Sequence, residues 1–149
     1  MFNGCTSLTT APALPATTLA NDCYSNMFSG CTSLTTAPAL PATTLAEYCY
    51  YSMFQGCSKL VNAPELPATT LKNYCYQYMF KGCSKLQNVT CLATSISARG
   101  CTSSWLSGVS SEGTFIKASG FSGWSEGASG IPSNWTVSDY VQPAKESVE

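Results

Sequence analysis

The chain keeps returning to its own beginning. Met1-Phe2, Met27-Phe28, Met53-Phe54 and Met79-Phe80 open four successive copies of one unit. The unit reads M-F-x-G-C-[TS]-[SK]-L-x-x-A-P-x-L-P-A-T-T-L-x-x-x-C-Y-x-x, and its first two copies, 1–26 and 27–52, differ only at unit positions 3, 21, 22, 25 and 26. The fourth copy, 79–104, keeps MFKGCSKL and Cys101 but loses both prolines. A unit this short has no way to bury its apolar face alone. Stacked copies bury a continuous core, and identical residues then line up in ladders. Four units at the ~4.8 Å strand spacing make a stack roughly 20 Å long.

Composition narrows the chemistry. Only 10 % of the 149 residues are charged, against about 25 % in ordinary globular chains. Lys and Arg total 7 and form no basic run, so the chain lacks the clustered cations by which nucleic-acid binders hold phosphates. No apolar stretch approaches the ~18 residues of a membrane span. Met1-Phe2-Asn3-Gly4-Cys5 has neither the basic nor the apolar region of a signal peptide. Histidine is absent, which removes Ser-His-Asp and Cys-His nucleophiles and His-ligated metals.

Within a unit, Leu45, Cys49, Met53 and Cys57 fall at i, i+4, i+8 and i+12, with Tyr50 and Phe54 flanking them. This spacing predicts two or three helical or 3₁₀ turns, closed by the glycine at position 4. Ala37-Pro38-x-Leu40-Pro41 forbids a helix and leaves room for only a short strand before it. A 26-residue period lies within the window of leucine-rich repeats. The expected fold is therefore an α/β repeat solenoid: a right-handed leucine-rich-repeat coil of short strand, proline turn and short helix, ending in a small β-rich C-terminal cap.

These residues resemble the BspA-like leucine-rich repeat family of bacterial cell-surface proteins. Phe28-Ser29-Gly30-Cys31-Thr32-Ser33-Leu34 matches the family's aromatic-x-x-Cys-x-x-Leu segment, and Leu40-Pro41-Ala42-Thr43-Thr44-Leu45 its Leu-Pro turn. The match covers residues 1–104. The unit departs by an added Ala-Pro before Leu-Pro and by variable residues where the family has Ile-Gly. The resemblance implies an extracellular, bacterial cell-surface protein with an adhesion or binding role, and a buried core place for the cysteine at unit position 5.

Residues 1–104 are thus expected to form four repeats, 105–137 a β-rich cap, and 138–149 a tail or linker. In the cap, Gly113–Lys117 and Ile131–Val137 read as strands between Gly/Ser turns. Three tryptophans, absent from the repeats, suit the closing of an open core; an aromatic sugar platform made by Trp124 or Trp135 is the functional alternative. Residue 1 already stands at unit position 1, so the N-terminal edge has no cap of its own. Further repeats upstream, or stacking on another chain, would cover it. The edge near Leu8-Thr9-Thr10-Ala11 is expected to favour self-association through this uncapped face.

Eight of the nine cysteines form two ladders, at position 5 (Cys5, Cys31, Cys57, Cys83) and position 23 (Cys23, Cys49, Cys75, Cys101); Cys91 stands apart. Buried free thiols, some disulfides, or a metal site are the alternatives, and no Cys-x-x-Cys knuckle supports the last. The carboxylates Asp22, Glu47, Glu65, Glu112, Glu126 and Asp139 are scattered and read as solvated charge rather than as a glycosidase pair. The tyrosines are the better lead. Tyr24, Tyr50 and Tyr76 share position 24, and packing of the core is the alternative to a binding role for them. Tyr48, Tyr51, Tyr74 and Tyr78 should lean outward and, with Trp124, are the expected partner-binding residues. The chain is expected to be no enzyme, with no catalytic, metal or cofactor site. It reads as a binding module for a protein or glycan, or else as a structural spacer.

Overall fold

The structure is a computed structural model that describes residues 2–141. It overturns the helical part of the expectation. Among the described residues there is no helix, and the regular structure is one parallel sheet of three short strands: β1 (Asn88–Cys91), β2 (Thr114–Lys117) and β3 (Thr136–Asp139), in that order. The rest is turn and loop. The α/β leucine-rich-repeat solenoid built with helices is therefore not the architecture of this chain.

The backbone shows why. From residue 22 to residue 31 the amides alternate in partner. Cys23, Ser25, Met27, Ser29 and Cys31 donate back three residues, to Ala20, Asp22, Tyr24, Asn26 and Phe28. Tyr24, Asn26, Phe28 and Gly30 donate forward to the carbonyls of Cys49, Tyr51, Met53 and Gln55 in the next unit. The pattern recurs at Tyr48–Cys57 and Tyr74–Cys83. One residue in four has positive φ: Asp22, Asn26 and Gly30, then Tyr48, Ser52 and Gly56, then Tyr74, Tyr78 and Gly82. A left-handed residue every fourth position resets the chain, so no i→i−4 ladder propagates. Every second turn places that residue third, as a type II turn does. The segment is a ribbon of tandem turns, hydrogen-bonded from unit to unit.

The opposite side of each unit carries the prolines, and only isolated parallel bridges form there: Thr10 with Thr36, Thr18 with Thr44, Asn62 with Asn88 and Leu66 with Cys91. Proline lacks the amide a longer ladder needs. Unit 4 has lost both prolines, and there Asn88–Cys91 becomes a true strand that pairs with β2 at an offset of one period, Asn88 opposite Thr114. Leu66 faces Cys91 rather than Leu92, so the odd cysteine fills the core place of a leucine after a one-residue slip. Amides equivalent to those of Ala11, Leu19, Gln87 and Thr94, which bridge units 1–2 and 3–4, lie at Ala37, Leu45, Val61 and Thr69; between units 2 and 3 these four have no backbone partner among the described residues. A groove of about 140 Å³ opens beside them, lined by Ala39, Leu40, Pro41, Glu65 and Pro67.

Two aromatic columns run through the core. Phe2, Phe28, Phe54 and Phe80 stack at 5.4, 5.7 and 5.5 Å between centroids. Tyr24, Tyr50, Tyr76, Trp105 and Trp124 stack at 6.0, 5.9, 5.8 and 5.4 Å. The thiols pack beside them. Cys31, Cys57 and Cys83 each donate S–H to the carbonyl of the phenylalanine 29 residues earlier, at 3.0–3.2 Å. All nine cysteines are free, and seven are buried. In unit 1 the equivalent Phe2, Cys5 and Leu8 are only half covered.

The stacking does not stop at residue 104. Gly82 donates to Ser107, Leu106 donates to Ala128, and β2 and β3 continue the parallel pairing. Of the expected strands, β2 lies within 113–117. Ile131 makes only an isolated bridge with Glu126, and β3 starts at Thr136. Ser138 and Asp139, read as the start of a tail, belong to β3, and 142–149 lie outside the described residues. Trp105 and Trp135 are anchored by indole bonds to the carbonyls of Gly130 and Ser110, at 2.8 and 2.9 Å.

Candidate interaction surface

The tandem-turn ribbon sorts its side chains. Positions 19, 23, 1, 2 and 5 point into the core, while positions 20–22, 25, 26 and 3 supply most of the outer surface of the ribbon. Tyr48 and Tyr74 occupy position 22, Tyr51 position 25 and Tyr78 position 26. All four are half-buried, and the structure brings them together. Tyr48 stacks on Tyr74 at 4.8 Å and 15°. Tyr51 meets Tyr48 edge to face at 5.5 Å and Tyr78 at 5.6 Å. Tyr48, Tyr74 and Tyr78 have φ values of 58°, 60° and 56°, a conformation costly for a large L-residue, at about 1–2 kcal/mol each. Such strain persists where surrounding contacts over-determine it and clusters at functional sites. Here the cross-unit amide bonds of the same three residues impose it: Tyr48 to Asn73, Tyr74 to Arg99 and Tyr78 to Ser103.

The rings cover one another's faces. The Cδ1–Cε1 edge of the Tyr74 ring lies toward Gly100, where an added Cβ would come within 2.6 Å of both atoms. Lys81 holds its ammonium 4.9 Å from the centroid of Tyr78. Desolvation is the main cause that raises the phenol of Tyr48 above its usual value, followed by Tyr74, Glu47, Tyr51 and Asp22.

Trp124 belongs elsewhere. It closes the core column on Trp105, with Phe115 and Phe121 edge-on at 5.1 and 6.2 Å, and makes no ring contact with the four tyrosines among the described residues. Its indole nitrogen is buried without a hydrogen-bond partner, and the residue borders an open groove of about 190 Å³ shared with Glu126, Pro132 and Trp135. Tyr24, Tyr50 and Tyr76 line the core column rather than the outer face, with Tyr50 and Tyr76 fully buried; burial drives both of their phenols far above the usual range.

The thiols are poor nucleophiles. Burial pushes Cys49, Cys57 and Cys91 up to about 12, and raises Cys75 and Cys83 strongly in the same direction. Cys23 is the one exposed cysteine. Among the described residues no three His, Cys, Asp or Glu side chains converge as metal ligands, and no helix is long and apolar enough to cross a membrane.

Reading the charges as scattered missed an order that unit position reveals. On the outer rows of the ribbon, units 1 and 2 carry Asp22 and Glu47, while units 3 and 4 carry Lys72, Lys81 and Arg99. All five are exposed, and among the described residues the one ion pair is Lys117–Asp139, in the sheet.

Comparison with protein families, with curated proteins and with solved structures returns no match. The leucine-rich-repeat assignment is overturned by the missing helices. The adhesion role and extracellular location implied by the resemblance draw no support from the comparisons.

Proposed function

We propose that this chain is a non-catalytic binding module that takes a protein partner on the tyrosine face of its turn ribbon. The observation that carries the reading is the cluster of Tyr48, Tyr51, Tyr74 and Tyr78, held rigid by stacking and by cross-unit bonds. Tyrosine is enriched at binding hot spots because it offers large apolar area with a polar tip at small entropic cost. The packing of these rings on one another favours a protein, which takes ring edges and hydroxyls, over a glycan, which needs an open face. Selection from a random-peptide display library tests this. Peptides should emerge whose binding falls at least about tenfold, the loss of one hot spot, on Tyr48→Ala or Tyr74→Ala. Binders indifferent to all four tyrosines, or a glycan-array ligand dependent on them, overturn it; no binder at all favours a structural spacer. A second mode, self-association through the first unit, is supported by the half-covered Phe2, Cys5 and Leu8. Leu8→Lys abolishes that mode alone.

A further inference from the structure

The outer rows of the ribbon have a symmetry that the reading above does not use. The four tyrosines straddle the junction of units 2 and 3, two from each: Tyr48 and Tyr51, then Tyr74 and Tyr78. Along the row of positions 20–22, Asp22 and Glu47 lie toward one end and Lys72 and Arg99 toward the other. A two-fold axis through the tyrosine cluster, normal to the ribbon, sets unit 1 against unit 4 of a second copy and unit 2 against unit 3. Tyrosines then meet tyrosines. With the axis on the Tyr48–Tyr74 stack, Asp22 of each copy lies toward Arg99 of the other and Glu47 toward Lys72, all four standing at unit positions 20–22. A surface that is acidic at one end, basic at the other and apolar in the middle complements itself in this antiparallel arrangement, which is the defining property of an isologous contact. Asp22, Glu47, Lys72 and Arg99 are exposed and make no ion pair among the described residues, so each is free to pair with a second copy, while Lys81 already covers the Tyr78 ring.

We propose that the partner taken by the tyrosine face is a second copy of this chain, in an antiparallel two-fold dimer with Asp22 opposite Arg99 and Glu47 opposite Lys72. The proposal rests on the binding role given to the tyrosines, and names the occupant.

A charge-swap experiment on the full chain decides it. Wild type should dimerise in sedimentation equilibrium, with affinity that falls as NaCl rises from about 0.05 to 0.5 M, where screening shortens from beyond 10 Å to under 5 Å. The variant Asp22→Lys/Glu47→Lys places cations against cations in its own dimer, and Lys72→Glu/Arg99→Glu places carboxylates against carboxylates. Each alone should dimerise at least about tenfold more weakly. Mixed in equal amounts, they should form a heterodimer at least as tight as wild type. Leu8→Lys, which alters the first unit instead, should leave the dimer intact. A wild type that stays monomeric at all accessible concentrations overturns the proposal, as do charge variants that dimerise like wild type or a mixture that gives no heterodimer. If the monomer still selects tyrosine-dependent peptides, the dimer falls and the binding role stands. Loss of both dimer and tyrosine-dependent peptides removes the two together.

Discussion

Raising the pH from 7 to 10 should destabilise this protein through its thiols. An unfolded cysteine releases its proton near 9.0, whereas burial holds Cys49, Cys57 and Cys91 protonated to about 12. Cys75 and Cys83 are raised by the same cause. Between these limits the unfolded chain binds fewer protons than the folded one, so stability falls as pH rises; below pH 8 the thiols add no slope. At pH 10, one unit above the unfolded value, each of the five favours unfolding by about 1.4 kcal/mol, or about 7 kcal/mol together. A domain of this size has about 5–15 kcal/mol in all. Guanidinium titrations followed by the fluorescence of Trp105 and Trp135, in reductant from pH 7 to 10, measure the loss. Cys57→Ser supplies the control. Its hydroxyl still reaches the Phe28 carbonyl but does not titrate, so the loss at pH 10 should shrink by about 1.4 kcal/mol. Stability that stays flat to pH 10, or a Cys57→Ser slope equal to wild type, would refute the reasoning.

Two further outcomes test the packing and the backbone. Phe54→Ala, in the middle of its column, should cost about 3–5 kcal/mol in denaturant melts, and Phe2→Ala, half covered, clearly less; equal losses would mean that unit 1 is as closed as unit 3. In hydrogen exchange, the amides of Ala37, Leu45, Val61 and Thr69 should exchange at least about tenfold faster than those of Ala11, Leu19, Gln87 and Thr94, because only the second set is bonded across units. Equal protection at both sets would close the seam between units 2 and 3.

Which residues are buried was legible from the repeat, because positions 5, 8, 14, 23, 1 and 2 recur unchanged in all four units and position 19 in the first three, and a ladder of identical apolar residues has few places to go. The helix was the misreading, and its cause is specific. Leu45, Cys49, Met53 and Cys57 repeat every four residues without drift. A helix turns 3.6 residues at a time, so a four-residue stripe slips by about 40° per step and leaves its face within three steps. An undrifting period of four suits turns that reset at each left-handed residue, and the sequence marks those places with Asp22, Asn26 and Gly30. In later units Tyr48, Tyr74 and Tyr78 stand at the same places, where tyrosine's own preference gives no warning. The tyrosine cluster was foreseeable from adjacency to the inward cysteines, but the edge-on placing of Tyr51 between Tyr48 and Tyr78 was not, because Tyr78 comes from the next coil. Trp124 was misplaced for a related reason: nothing local says that it stacks on Trp105, which stands well before it in the chain.

The register of the turn ribbon also limits how such a chain grows or shrinks. Each forward bond joins an amide to a carbonyl of the following unit, as Phe28 joins Met53 and Phe54 joins Met79. Insertion of a whole unit gives every donor an equivalent acceptor; insertion of half a unit would set phenylalanine against proline and leave a row of buried amides unanswered. Length therefore changes in quanta. Each quantum adds one rung, ~4.8 Å, and moves everything beyond it by that step without disturbing what lies on either side. A chain built this way is a ruler, graduated in whole units, whose reach is set by how many times the same short message is copied.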